Sequence, residues 1–369
     1  MSRPLSRLFA RNSGGTGQAT DDGPRRRFPL PRPVDVAERI ERAPALDRPV
    51  RSLSDTVVRA LPTGPRADAL HGVPFGQPAH PALVRLPLGC WTSAALLDMF
   101  PGTERAARTL IAAGIASSLP ATATGLADWS ALHRHQQRVG LVHAASGACA
   151  ATLFGASLLA RVAGLNRAGK ALSAGGLTAA TVGAYLGGHL AHRLGAGASH
   201  AEPVGHLASL GWHDLCRIYE LPDGRPVRRQ LGYLSLFVLR RGPEVSVLSD
   251  HCAHLGGPLH QGRIVTEDGA DCVACPWHGS TFRVADGSVV HGPATARQPS
   301  FRCRVTESGT VEIRPRLLRP ERHNRGDRPR SWSISAALTA EIDHKHLAGP
   351  GVLATGRAGR SGYATDALA

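Results

Sequence analysis

Three stretches with no charged residue, Thr109 to Ala127, Val139 to Ala160 and Ala171 to His192, constrain the fold most. Each is close to the roughly 20 residues that cross a hydrocarbon core. A fourth stretch, His80 to Phe100, carries Arg85 and Asp98 near its ends, where a long arginine can snorkel toward headgroups. The turns between them, PGTERAAR, DWSALHRHQQR and RVAGLNRAGK, are short and charged. A helix covering a soluble core keeps one polar face, and these stretches have none. They predict a four-helix transmembrane bundle over 80–195 in a lipid bilayer. Gly147, Ala151 and Gly155 form a small-residue stripe on the third helix, which predicts close helix packing there.

The flanks differ. Residues 1–79 are rich in Pro, Arg and Asp and read as a disordered tail, with a short helix at VDVAERIERA (34–43). The run RRRF at 25–28 is followed by LPRPVDVAERIERAP, which lacks the apolar segment of an export signal. Residues 316–369 return to Arg, Pro, Gly and Ala and also read as disordered, apart from a helical fragment at ISAALTAEI. The net charge is +15, and only Lys170 and Lys345 are lysines. That bias resembles a GC-rich bacterial genome. No basic face is interleaved with aromatics, so a nucleic-acid partner is not expected. Basic tails near anionic lipid fit better. The seven cysteines, an odd count without paired spacing, point to reduced thiols and a metal centre rather than a disulfide framework.

From Ala201 to Pro315 the period changes. VRRQL, YLSLFVLR, EVSVLSD, CVACPW, STFRV, SFRCRV and TVEIR are β-rich runs separated by DG and GG turns. They predict an antiparallel all-β domain over 201–315. Within it lies DHCAHLGGPLHQGRIVTEDGADCVACPWHGS. Cys252 and His254 sit on one loop, Cys275 and His278 on another. Each loop can supply one thiolate and one imidazole, so two thiolates can hold one iron and two imidazoles another. Zinc also takes two Cys and two His, but no finger helix follows His278. Cys272, three residues before Cys275, could form a rival Cys-x-x-Cys pair and reads instead as strand packing. The polar stretch VTEDGAD reads as a turn that bulges outward.

C-A-H-L-G-G-P-L resembles the first loop of Rieske iron–sulfur domains, C-P-W-H-G-S the second, and Gly292-Pro293 their proline loop. The resemblance implies a 2Fe-2S cluster on Cys252, His254, Cys275 and His278, surrounded by Gly256, Gly257, Trp277, Ser280 and Pro293. Respiratory members carry a further cysteine in each loop. Gly257 and Trp277 stand there, so this domain resembles the ferredoxin and oxygenase type, which lacks that disulfide. A Ser280 hydroxyl donating to a cluster sulfur would favour the reduced state, and Trp277 would shield the cluster from water. The segments HPALVRLPLGCW, GLADW and VGLVH resemble a bacterial membrane domain of unknown function, which implies four helices and no activity.

The expected function is one-electron transfer to or from unknown donor and acceptor proteins, with redox sensing toward the membrane helices as the alternative. A self-contained Rieske oxygenase needs a second domain holding a two-His, one-carboxylate iron, and residues 316–369 read as disordered. In the bundle, His143 lies four residues into the uncharged stretch of the third expected helix and His189 three before the end of that of the fourth. Ionisable groups at one depth suggest a haem or metal site between them. Both ends are expected on one side of a bacterial cell membrane. Arg161, Arg167 and Lys170 on the third-to-fourth turn oppose a cytoplasmic Rieske domain. The Arg-rich N-terminal tail and the lack of an export signal favour it.

Overall fold

The computed structural model describes residues 32–207 and 211–316. Eight helices come first: α1 (Pro33–Glu41), α2 (Asp47–Ala60), α3 (Pro65–His71), α4 (Ala79–Leu83), α5 (Arg85–Leu97), α6 (Glu104–Ser130), α7 (Arg134–Val162) and α8 (Asn166–His192). A short α9 (Val204–Leu207) precedes ten strands. This is a helical region followed by an all-β domain, as the change of period predicts.

The expected tail over 1–79 is corrected for its described part. Residues 33–71 form three helices. Ala37 and Val50 are fully buried, and Val57 nearly so. Val50, Leu53 and Val57 recur at helical spacing, but arginines dilute the pattern. Those charges make tertiary contacts. Arg138 donates to both Asp47 oxygens at 2.8 and 3.0 Å and to Glu41 O at 2.7 Å. Arg193 reaches Glu38 at 2.6 Å. The short helix expected at 34–43 is α1. Residues 1–31 and 317–369, with the fragment at ISAALTAEI, lie outside the described residues.

The first expected span is broken. α4 ends at Leu83 because the ring of Pro87 clashes with the carbonyl four residues earlier. The pieces α5, α6, α7 and α8 pack as a four-helix group. Two of them, α6 and α7, are long and apolar enough to cross a membrane. α8 is as long, but rich in Gly and Ala.

The small-residue stripe is also corrected. Gly147 and Gly155 face open space, and the close contact is made by glycines of α8. A Cβ on Gly169 would lie 2.5 Å from Arg161 Cγ, and one on Gly176 2.9 Å from the Phe154 ring. At Gly183 it would meet Ser146 at 3.5 Å. These glycines recur every seven residues, against partners on antiparallel α7 that step back by seven and then eight. A heptad of glycines is how two backbones approach closely.

The β domain holds two antiparallel sheets. Strands β1 (His213–Arg217), β2 (Val227–Leu231), β3 (Leu234–Arg241), β4 (Glu244–Ser249), β9 (Ser300–Val305) and β10 (Thr310–Pro315) form the larger, in the order β1-β10-β9-β4-β3-β2. Strands β5 (Arg263–Glu267), β6 (Ala270–Ala274), β7 (Thr281–Arg283) and β8 (Val289–His291) form the smaller, in that order. β3 is buried on both faces. Phe237 and Leu239 join Val273 and Phe282 between the sheets, whereas Leu236 and Val238 join Val311 and Ile313 on the other side. The period of two along a strand makes that division. VTEDGAD holds the turn expected there. It closes the β5–β6 hairpin, with Arg263 opposite Ala274. Asp268 and Gly269 take φ of 51° and 74°, the positive pair that a two-residue hairpin turn needs.

Candidate metal centre

The two ligand-bearing loops leave β4 and β6 at one end of the domain, and they share a backbone plan. In the first, Cys252 N donates to Gly257 O at 2.9 Å and Gly256 N returns to Cys252 O at 2.8 Å. In the second, Cys275 N donates to Ser280 O at 2.9 Å and Gly279 N returns to Cys275 O at 3.1 Å. The fourth residue after each cysteine is a glycine with positive φ, 75° at Gly256 and 77° at Gly279. A side chain is strained in that conformation.

Both loops are pinned from below. Asp250 accepts the Ser235 hydroxyl at 3.0 Å and His260 N at 2.8 Å. Gln298, almost fully buried, accepts Ala253 N at 2.8 Å and donates to Ser249 O and His251 O. Ser280 Oγ accepts Ala294 N at 3.0 Å, just after the Gly292–Pro293 peptide, which is cis. That leaves the Ser280 hydroxyl proton available to a further acceptor. Asp250, Gln298 and Gly279 were missed in the sequence. Each is polar or small on a loop, with no periodic signal to mark it.

The four candidate ligands come together as two pairs. The Cys252 and Cys275 thiols are buried and hydrogen-bonded to each other, which raises Cys252 and draws Cys275 down to about 7. The His254 and His278 rings are 5.1 Å apart and perpendicular. Burial brings His254 down to about 3, helped by the charges of His278, His71, His200 and His133. Burial lowers His278 as well, followed by His133. Both imidazoles are therefore neutral at physiological pH, as a metal ligand must be. Among the described residues no three His, Cys, Asp or Glu side chains converge where one ion could sit. Two separate pairs fit a two-iron centre with divided ligation better than a tetrahedral zinc site.

Gly257 completes the cradle. A Cβ there would lie 2.8 Å from Cys275 Sγ and 3.1 Å from the Trp277 ring. Trp277 lines this cradle and also reaches solvent. It is 49% exposed, and its ring stands edge-on to His133, 5.3 Å away. Cys272 lies on β6, fully buried. It belongs to the strand entering the second loop.

A sequence-family model described as "Rieske [2Fe-2S] domain" matches residues 211–302, the strands and loops just described. The chain carries a Rieske domain. A second model, described as a predicted membrane protein (DUF2231), matches residues 76–200, so the chain joins a Rieske module to a predicted membrane module. The Rieske domain-containing protein of Homo sapiens is 33% identical over 66 residues, 18% of this chain and 42% of that protein. Apoptosis-inducing factor 3 of Mus musculus is 26% identical over 112 residues, 30% of this chain and 18% of that protein. The chain thus spans less than half the length of these curated relatives. The solved ferredoxin of Sphingomonas yanoikuyae B1 is 27% identical, with 28% of this chain and 98% of that chain covered and a TM-score of 0.25. The oxygenase component of a probable 3-ketosteroid-9-alpha-monooxygenase of Rhodococcus rhodochrous is 32% identical over 90 residues, 24% of this chain and 21% of that protein.

The pair expected in the bundle does not form. His143 Nδ1 bonds Gly183 O at 2.8 Å, and its ring faces His80 with centroids 6.1 Å apart. His189 Nε2 meets Glu41 Oε1 at 2.6 Å. Gly183 and Gly187 both front His143. His189 is two residues past Gly187, about 200° around the helix, so it points away. His143 lies against Gly183 and Gly187, close along α8 to His189, but helical phase separates the rings, and a haem between them has no support.

Proposed function

We propose that the protein is a membrane-anchored one-electron carrier, with Cys252 and Cys275 on one iron of a 2Fe-2S cluster and His254 and His278 on the other. The observation that carries this reading is the shared plan of the two loops, which presents two thiols and two imidazoles as separate pairs. When bound, the cluster supplies reversible one-electron oxidation and reduction. The chain's own residues do the rest. Gly256 and Gly279 turn the loops, and Gln298 and Asp250 fix the first of them. Gly257 keeps the space beside Cys275 open. Ser280 offers a hydroxyl proton whose donation to the cluster would favour the reduced form. Replacing Gly257 by Ala pushes a methyl into Cys275 Sγ and the indole. The expected result is a severalfold fall in iron per protein with the β domain still folded, read by iron analysis and circular dichroism.

Anchoring by four passes is supported by surface and length. α6 and α8 run about 40 Å and α7 about 44 Å, more than the roughly 30 Å core. Only 28% and 22% of the most apolar windows of α6 and α7 are buried within the protein. Leu119, Leu159 and Val162 are about 70% exposed. A bilayer would cover such a surface. The broken α4–α5 segment would be the shortest pass.

A cytoplasmic Rieske domain is the proposed orientation. Arg161 is buried on Asp98, and Lys170 Nζ donates to Asp98 O at 2.6 Å. That leaves Arg167 as the turn's one cation outside this pairing and weakens its charge signal. Carboxy-terminal fusions test this. A fluorescent fusion should glow and a phosphatase fusion stay inactive, and the reverse pattern overturns the orientation. Redox sensing is a second reading, favoured by the direct contact of His133 with the ligand loops. Electron transfer predicts turnover with a protein donor. Sensing predicts a redox-dependent change in the helices without it.

A further inference from the structure

The cluster end of this Rieske domain is closed by the chain's own helical module. His200 N donates to Ala253 O at 2.9 Å. Asp68 of α3 accepts His291 Nδ1 and Gly292 N, both at 2.9 Å. A Cβ on Gly292 would touch His71 at 3.3 Å. His133, the N-cap of α7, stands edge-on to the His278 ring at 5.7 Å. A partner therefore meets helices where it would otherwise meet the imidazoles.

Trp277 is the side chain that still reaches outward. It is half exposed, and its inner side lies over Gly257 beside Cys275 Sγ. The indole thus runs from solvent to the buried thiols. Its rim is basic. Exposed Arg134 follows His133, and exposed His135 stacks on the His133 ring at 6.1 Å. Asp47 is held below the usual carboxylate range first by the Arg138 hydrogen bond, with Arg51 and Arg134 adding their charges. Arg138 is its bonded partner. Arg51 and Arg134, both exposed, are the surplus cations of that group, on a chain of net charge +15.

We propose that a redox protein with an acidic docking face binds over Trp277 and the neighbouring Arg134, and exchanges its electron through the indole. This rests on the electron-carrier reading above. The partner loses one electron and the Rieske domain gains it, with no bond made or broken. An aromatic centre ringed by opposite charge gives orientation and a fast encounter.

The test uses the full-length, cluster-loaded protein in nonionic detergent, with flavodoxin as an acidic probe and cytochrome c as a basic one. Flavodoxin hydroquinone should reduce the protein at a rate that falls steeply with added salt. Arg134→Glu should slow that reduction about tenfold at low salt and flatten the salt dependence. Binding of oxidised flavodoxin, where no electron moves, should weaken by the same factor. Trp277→Ala should slow reduction about tenfold, and Trp277→Phe should restore most of it. Reduction by dithionite should reach the same extent in Arg134→Glu as in the unaltered protein, and the rates of the Trp277 variants are read per iron bound. Unchanged flavodoxin rates in both Arg134→Glu and Trp277→Ala would overturn the docking proposal, as would a salt-sensitive preference for cytochrome c. Unaltered protein lacking the mixed-ligand resonance when reduced would overturn the electron-carrier reading instead.

Discussion

Replacing any one of Cys252, His254, Cys275 or His278 is expected to abolish the low-average-g resonance that mixed His/Cys ligation gives in the reduced state. The substitutions are Cys252→Ser, Cys275→Ser, His254→Ala and His278→Ala. Each pair has no spare member, since no third donor converges on either among the described residues. Removing Cys252 leaves Cys275 facing a hydroxyl in a site that is nearly fully buried. Removing His254 leaves His278 as the single remaining member of its pair, because His133, edge-on to it at 5.7 Å, forms no converging three-donor group with it. Cys272→Ser is the control. Cys272 is equally buried, but it sits on β6 and packs into the strand, so the resonance should survive. Stoichiometric zinc with no iron, in protein made under iron-replete conditions, would refute the assignment. Because ligation contributes to folding, the same four variants should also unfold at lower temperature than the Cys272→Ser protein.

The cluster loops were legible because ligand chemistry is written in residue type and spacing. Two thiols and two imidazoles at Cys-x-His and Cys-x-x-His leave few alternatives, and strand periodicity placed β2, β3, β4, β9 and β10 close to their bounds. What supports the loops was not legible. Gln298 lies 45 residues from the Ala253 amide it accepts, and nothing local to a glutamine announces such a partner. The helices over 33–71 were hidden for a related reason. Their arginines and aspartates look like a solvated tail, yet Arg138, His189 and Arg193 reach them across the fold. Depth along a helix could be read for His143 and His189, but facing could not. A residue two positions from a contact surface is on the opposite side, and only the packing of α7 on α8 shows which side matters.

That packing is closed at the far end of the bundle by one ion pair, and Asp98→Ala is expected to cost about 3–5 kcal/mol of stability. The Arg161 side chain is fully buried and that of Asp98 nearly so. The guanidinium lies bidentate on the carboxylate at 2.8 and 2.5 Å. Its Nε donates to Ser157 at 3.1 Å, and Nη2 also reaches Ser173 at 3.2 Å. Ser157 in turn donates to Gly169 O at 2.7 Å. Arg161 cannot withdraw to water without opening α7 from α8, because Gly169 closes over its Cγ. Truncating Asp98 therefore leaves a buried cation with hydroxyl partners alone. Thermal unfolding in nonionic detergent measures the loss. The double variant Asp98→Leu with Arg161→Leu distinguishes charge burial from packing. If the cost is the uncompensated guanidinium, the double variant recovers most of the stability, since apolar replacement of a whole buried pair is often neutral. A double variant as unstable as Asp98→Ala would instead assign the cost to lost packing between α5 and α7. The Rieske resonance should be unchanged throughout, because this network and the cluster loops occupy opposite ends of α7.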